Sequence, residues 1–90
     1  MTIKLSYKGW IGFAIYIGYK ASYRRNECEY HGIDYNKVVA ELKNAGVIQK
    51  NKLVRNARAI WDHNMENTLP SQIPHVINKL KELNINRRML

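Results

Sequence analysis

Hydrophobic residues recur at helical spacing in three segments of the chain. The segment Tyr35–Ala45 follows Asp34, a natural N-cap, and stops at Gly46, which can adopt the left-handed backbone that closes a helix. The segments Asn51–Met65 and Gln72–Leu83 show the same spacing. The apolar positions are Val38, Val39, Leu42 and Ala45, then Leu53, Val54, Ala57, Ile60 and Trp61, and finally Ile73, Val76, Ile77, Leu80 and Leu83. Each stripe predicts one buried helix face.

The N-terminal segment Leu5–Tyr23 satisfies both the helical and the strand periodicity. As a helix capped by Ser6, it would place Trp10, Phe13, Ala14, Ile17 and Ala21 on one stripe. As a strand, it would alternate from Ile11 to Tyr19 and could form a β-hairpin with the residues before Gly9. We favour the helix, because an isolated β-hairpin beside a helical core would need other residues packed over its second face. The hairpin stays as the alternative.

These elements predict a mainly α fold, a small bundle of about four helices, in which a helix-turn-helix-like or winged-helix-like arrangement can be accommodated. Ninety residues with 46% apolar content predict a single small basic domain over 1–90, with a frayed tail at 85–90. The uncharged run Gly9–Tyr19 is about half the length of a membrane-spanning helix, so no membrane partner is expected. Its glycines could bring two backbones close together, which leaves a homodimer open.

The charge of the chain points to an acidic partner. Fifteen Lys and Arg against seven Asp and Glu give a formal charge of +8 and a pI near 9.8. Such a surface attracts nucleic acid, and an acidic protein would experience the same field. A single cysteine, Cys28, and a start without a signal peptide predict a cytoplasmic protein.

Catalytic and metal-binding patterns are not found in the sequence. The three His are scattered and there is no Cys-x-x-Cys, so no metal and no cofactor are expected. Cys28 and His31 are three residues apart, but a nucleophile and a base need a third group that orients the base. The sequence therefore predicts a protein that is not an enzyme.

Three resemblances concern the segment around Gly46. The stretch Tyr35–Lys52, a helix ending at a glycine followed by two aliphatic residues and a basic turn, resembles the recognition helix and first wing strand of winged-helix proteins. That family has a second wing strand, whereas the apolar spacing after Lys52 predicts helix through Trp61. The stretch Asn44–Ala59 is similar to the helix-hairpin-helix element of bacterial 3-methyladenine glycosylases, which implies phosphate binding but no glycosylase activity.

The third resemblance is to helix-turn-helix proteins. The residues with suitable mutual spacing are Cys28, Gly32, Ile33 and Val38. The resemblance implies that Tyr35, Asn36 and Lys37 begin the second helix, where base contacts are made. Glu41 occupies the next expected apolar position, and Leu42 follows one residue later. An ordinary turn between two packed helices with a solvated charged face is the alternative for this segment.

The function predicted from these observations is nucleic-acid binding, DNA more than RNA, by a small regulatory protein that uses a basic turn and helix. The expected phosphate-binding residues are Lys50, Lys52, Arg55 and Arg58, helped by Lys37, Lys43, Arg24 and Arg25. Leu53 and Trp61 would face inward, so that the cations between them form one outward cluster. Two alternatives stay open: a phage- or mobile-element-type inhibitor or adaptor that binds an acidic protein, and an anionic nucleotide bound at a dimer interface formed by the Trp10–Tyr23 segment with Arg24 and Arg25.

Overall fold

The computed structural model describes residues 3–50 and 52–67, which form helices and one short hairpin. The elements are α1 (Tyr7–Gly18), α2 (Ala21–Tyr30), α3 (Tyr35–Asn44), β1 (Ile48–Gln49), β2 (Lys52–Leu53) and α4 (Ala57–Asn67). This part of the chain is mainly helical, as predicted. The predicted helix Gln72–Leu83 and the predicted frayed tail lie outside the described residues.

Helix α1 lies at the centre of the core. Its N-cap is Ser6, as predicted, and the Ser6 hydroxyl accepts a hydrogen bond of 3.0 Å from the Gly9 amide. Trp10, Phe13 and Ala14 have no exposed surface, and the residues between them are buried as well. A helix that is buried on nearly every side has no single apolar stripe, which explains why its sequence fits both periodicities. The segment is helical, and the β-hairpin alternative is wrong.

Two glycines of α1 allow a close approach of α3. A Cβ atom on Gly12 would overlap Cγ1 of Val38, and one on Gly9 would lie 2.5 Å from the Glu41 carboxylate. A larger residue at Gly12 would force α1 and α3 apart, because packed interiors have no spare volume, whereas one at Gly9 would displace the Glu41 carboxylate. The glycines therefore account for backbone packing within one chain.

The carboxylate of Glu41 ties α3 to the start of α1. Its Oε2 accepts a hydrogen bond of 2.6 Å from the Ser6 amide, and its Oε1 accepts one of 2.8 Å from the Ser6 hydroxyl. Both bonds are charge-assisted, and a carboxylate beside the first turn of a helix also interacts favourably with the helix dipole. This explains an acid at the position where the helix-turn-helix pattern has an apolar residue.

Helix α4 packs on α1 through aromatic rings. The Phe13 and Trp61 rings meet edge to face with centroids 5.3 Å apart, and Trp10 lies 6.3 Å from each of them. Such pairs each add roughly 0.5–1.5 kcal/mol beyond their buried area. Asn64, fully buried on α4, accepts a hydrogen bond of 3.2 Å from the Ile3 amide and so fixes the N-terminal segment to this helix.

Helix α2 was not predicted as a separate element. The predicted first segment, Leu5–Tyr23, is divided at Tyr19, which has an extended backbone, and α2 begins at Ala21. Cys28 is the one fully buried residue of α2. A helix that contributes so little to the core lacks an apolar stripe, so periodicity cannot detect it.

The predicted helix Asn51–Met65 begins six residues later, at Ala57. Lys52 and Leu53 form β2, which pairs antiparallel with β1 in the register Ile48↔Leu53 and Gln49↔Lys52. The Val54 amide continues this contact with a 3.0 Å hydrogen bond to the Val47 carbonyl. The predicted inward face is nevertheless correct: Trp61 is buried and Leu53 packs against the core. A second strand thus follows the first, where the sequence predicted helix.

A double-mutant cycle tests the contact between α1 and α3. Gly12→Ala should lower the free energy of unfolding by up to about 2 kcal/mol, because overpacking by a methyl group outweighs the better helix propensity of Ala. Val38→Ala removes the atom that the new methyl would overlap, so the double variant should lose less than the sum of the single losses, by about 0.5 kcal/mol or more. Urea unfolding followed by circular dichroism measures these values. Gly12→Ala combined with Val39→Ala is the matched control, in which the two losses should add. Strictly additive losses when Gly12→Ala is combined with Val38→Ala would contradict the contact.

Candidate functional site

The helix α2 is followed by a glycine turn at residues 31–34 and then by the second helix of this unit, α3. Gly32 has φ +72°, and the Ile33 amide donates a 2.8 Å hydrogen bond to the Cys28 carbonyl, which closes α2 with a Schellman motif. Asp34 then caps α3 as predicted, because its Oδ1 accepts from the amides of Asn36 and Lys37 at 3.0 and 3.3 Å. The turn therefore sets where α3 begins.

Helix α3 ends with the same Schellman motif. Gly46 has φ +83°, and the Val47 amide donates to the Leu42 carbonyl at 3.1 Å. Val47 and Ile48 are buried, so the chain enters β1 directly from the core. At the tip of the hairpin Lys50 has φ +50°, the left-handed backbone that tight hairpin turns favour.

The outer side of α3 carries amides and cations. We call its exposed residues the α3 face: Asn36, Lys37, Ala40, Lys43 and Asn44. Lys37 and Lys43 are its charged residues, and the two carboxylates nearest in sequence lie off this face, since Asp34 precedes α3 as its cap and Glu41 binds Ser6. The α3 face is therefore positively charged.

The predicted basic cluster is not presented by one helix. Lys50 and Lys52 are exposed on the hairpin, and Arg55 is exposed in the turn before α4. Arg58 lies on α4, where its Nε is 3.6 Å from Asp62 Oδ1. The prediction that Lys52, Arg55 and Arg58 share one helix surface is wrong, because the helix begins at Ala57. Lys50 and Lys52 instead belong to the β1–β2 hairpin, whose first strand packs against α3.

Arg24 and Arg25 have different environments. Arg24 is partly buried: its Nη2 donates a 2.9 Å hydrogen bond to the Tyr16 carbonyl in the last turn of α1, and its guanidinium lies 4.3 Å from the Tyr16 ring. It therefore caps α1. Arg25 is exposed and lies 4.6 Å from the centroid of the Tyr35 ring.

A groove between α2 and α3 joins Arg25 to the α3 face. The groove has a volume of about 520 Å³ and is lined by Arg25, Tyr35, Asn36, Val39, Ala40 and Lys43. Arg25 and Lys43 were predicted as site residues, but nothing in the sequence indicated that they line one groove. Tyr35 was predicted at the start of the second helix, where base contacts are made, but its contact with Arg25 was not predicted, because that contact depends on how α2 packs against α3.

Charges are segregated along the described residues. From Tyr35 to Asn56, Glu41 is the one acid, and Lys37, Lys43, Lys50, Lys52 and Arg55 are the cations. The other acids of the described helices are Glu27 and Glu29 on α2 and Asp62 and Glu66 on α4. The segment from α3 through the hairpin is therefore the most basic part of the described chain.

The chemistry expected of a cysteine nucleophile is not favoured at Cys28. The pKa of the Cys28 thiol is raised to about 11, mainly by burial and also by the nearby carboxylates of Glu27 and Glu29. The thiol is thus the dominant form at neutral pH, whereas the thiolate is the reactive one. Across residues 3–50 and 52–67 no group of three or more His, Cys, Asp or Glu is arranged to hold a metal ion. None of the helices in these ranges is both long enough and apolar enough to cross a bilayer.

Comparison with known proteins identified no relative: no family model, curated protein or solved structure matches the chain. The function is therefore inferred from the side chains that the fold brings together.

The state of Cys28 can be measured. Because the folded pKa is above the ordinary value of 9.0, the folded protein holds the thiol proton more tightly; this contribution to stability is full below about pH 9 and is lost as the pH rises through about 11. At pH 8 a thiol reagent should modify the folded protein at least about tenfold more slowly than the urea-unfolded chain. Equal rates in the two states would show that the thiol is accessible and its pKa unperturbed.

Proposed function

We propose that this protein binds nucleic acid, duplex DNA in the first place, as a small non-enzymatic regulator. The α3 face and the β1–β2 hairpin make the contact. The observation that carries this proposal is the charge segregation. The exposed charged residues from α3 through the hairpin are Lys37, Lys43, Lys50 and Lys52, and the one acid of this segment, Glu41, is half-buried and bound to Ser6. A one-signed surface of this kind neutralises phosphates and releases their counterions.

The order of the elements supports a role for α3 in base contacts. A helix, a glycine turn and a second helix follow one another as in helix-turn-helix proteins, where residues at the start of the second helix reach base edges in the major groove. Lys37 stands at that start and is exposed. Lysine pairs with guanine, and asparagine, here Asn44 on the same face, pairs with adenine. The α3 face therefore offers both cationic and amide contacts.

The hairpin supports contacts to the DNA backbone. The resemblance to winged-helix proteins implies a second wing strand, and β2 occupies that position. Lys52 lies on this strand, and Lys50 lies at the tip with a left-handed backbone that glycine or asparagine adopts at lower cost. A lysine kept at such a position fits a role in binding. In this proposal Lys50, Lys52 and Arg55 contact phosphates, and Arg58, paired with Asp62, does not.

An acidic protein partner is the second candidate function. Tyr23 and Tyr30 on α2 are 55% and 82% exposed, and tyrosine is enriched at protein interfaces. A protein interface built on aromatic anchors would lose much less affinity with salt than a phosphate-binding surface. The nucleotide alternative is less favoured, because Trp10, Phe13 and most of α1 are buried within the chain.

A charge-reversal pair tests nucleic-acid binding. The wild-type protein should bind a labelled mixed-sequence duplex with an affinity that falls by several decades between about 50 and 200 mM salt. Lys52→Glu with Arg55→Glu should abolish detectable binding at the upper end of this range and reduce the salt slope by about two units, because two phosphate contacts are lost. Fluorescence anisotropy measures the affinity, and circular dichroism checks that the helix content is unchanged.

The matched control is Lys4→Glu with Lys20→Glu, which makes the same change in net charge at exposed residues outside α3 and the hairpin. This pair should retain most of the salt slope. Binding without salt dependence, or an equal loss in the control pair, would contradict the proposed interface.

A further inference from the structure

The groove between α2 and α3 has the composition of a phosphate site. Arg25 reaches it from α2 and Lys43 from α3, and Asn36 supplies an amide at the start of α3. No acidic residue is among its lining residues. Neither of the ion pairs found between the described side chains involves Arg25 or Lys43. The groove therefore offers two cations and an amide without a carboxylate that would compete for them.

Arg25 is held in place by a chain of aromatic contacts that begins in the core. The Tyr35 ring, on which Arg25 lies, is stacked on the Tyr16 ring with centroids 6.4 Å apart and an angle of 8°. The two hydroxyls are 3.1 Å apart. Tyr16 is buried, and Arg24 lies over its ring while binding its carbonyl. Because Tyr16 and Arg24 are fixed, the position of the Tyr35 ring is fixed too.

A guanidinium that lies over an aromatic ring is attracted by the ring, and its planar set of N–H groups remains available for hydrogen bonds. Its conformational freedom is reduced before any ligand binds, so less entropy is lost when a phosphate is bound. A planar fork also binds phosphate oxygens in pairs, which a lysine does not. Arg25 is thus organised for an oxyanion, and Lys43 adds a point charge on the other wall of the groove.

We propose that the groove binds one phosphodiester group of the DNA backbone through Arg25, Lys43 and Asn36, with Tyr35 as the residue that positions Arg25. This inference rests on the proposed function and names one phosphate of the bound duplex, next to the α3 face. The contact fixes the position of α3 along the DNA, because phosphate contacts set the register of a protein on the duplex.

Substitutions at Arg25 test the contact itself. With a labelled mixed-sequence duplex, Arg25→Ala should reduce the salt slope by about one unit, because one phosphate is no longer neutralised. Arg25→Lys should keep the slope, since the charge is kept, and should weaken binding severalfold because the paired hydrogen bonds are lost. Lys20→Ala, at an exposed residue outside the groove, is the charge control and should retain the wild-type slope.

Substitutions at Tyr35 test the positioning role. Tyr35→Leu should keep the salt slope, because Arg25 is still present, but should lower the affinity severalfold as the guanidinium becomes mobile. Tyr35→Phe keeps the ring and should bind more tightly than Tyr35→Leu. Tyr23→Leu is the matched control at an exposed tyrosine and should bind the duplex as the wild-type protein does. Thermal unfolding shows whether each variant is folded.

The two proposals fail in different ways. If the wild-type protein binds the duplex with the expected salt dependence but Arg25→Ala changes neither slope nor affinity, the groove is not a phosphate site and the proposed function stands. If Tyr35→Leu, still folded, binds as the wild type does, Tyr35 does not position Arg25. If the wild-type protein shows no salt-dependent binding, both proposals are wrong.

Discussion

The packing of α1 against α3 is the contact on which the rest of this structure depends. Gly12 lets Val38 approach the α1 backbone, and Gly9 leaves room for the Glu41 carboxylate over the first turn of α1. The buried residues of α3, Val38 and Leu42, lie on this inner side. Because the inner side packs on the core, the outer side of α3 and the adjoining hairpin are held in one orientation toward solvent. A binding surface on rigid elements loses little entropy when its ligand binds.

Periodicity and capping predicted α3 from Asp34 to Gly46, because local hydrogen bonds and one apolar stripe determine such a helix. They predicted the helical state of α1 less sharply, since a helix buried on nearly every side has no stripe. The separate helix α2 was missed because it buries Cys28 alone. The hairpin was missed because Leu53 and Val54 fit a helical stripe continuing into α4; the strand depends on pairing with Ile48, which no local pattern encodes.

The charge of the site could be predicted from the sequence, but its geometry could not. Lys37 and Lys43 lie on α3, as predicted, because the position of this helix in the sequence was predicted correctly. Adjacent residues Arg24 and Arg25 look equivalent in the sequence, yet one caps α1 and the other faces a groove. That difference arises from which tyrosine each guanidinium meets, Tyr16 or Tyr35, and both contacts join residues of different helices.

The proposed interface can be mapped by a titration of isotope-labelled protein with a mixed-sequence DNA duplex at low salt, followed through the backbone amide resonances. The resonances that shift should belong to the α3 face, Arg25 and the residues around Lys50 and Lys52, and the shifts should diminish as salt is added. Shifts centred on the exposed side of α4 or around Tyr23 and Tyr30, or no shifts at low salt, would contradict the proposed interface.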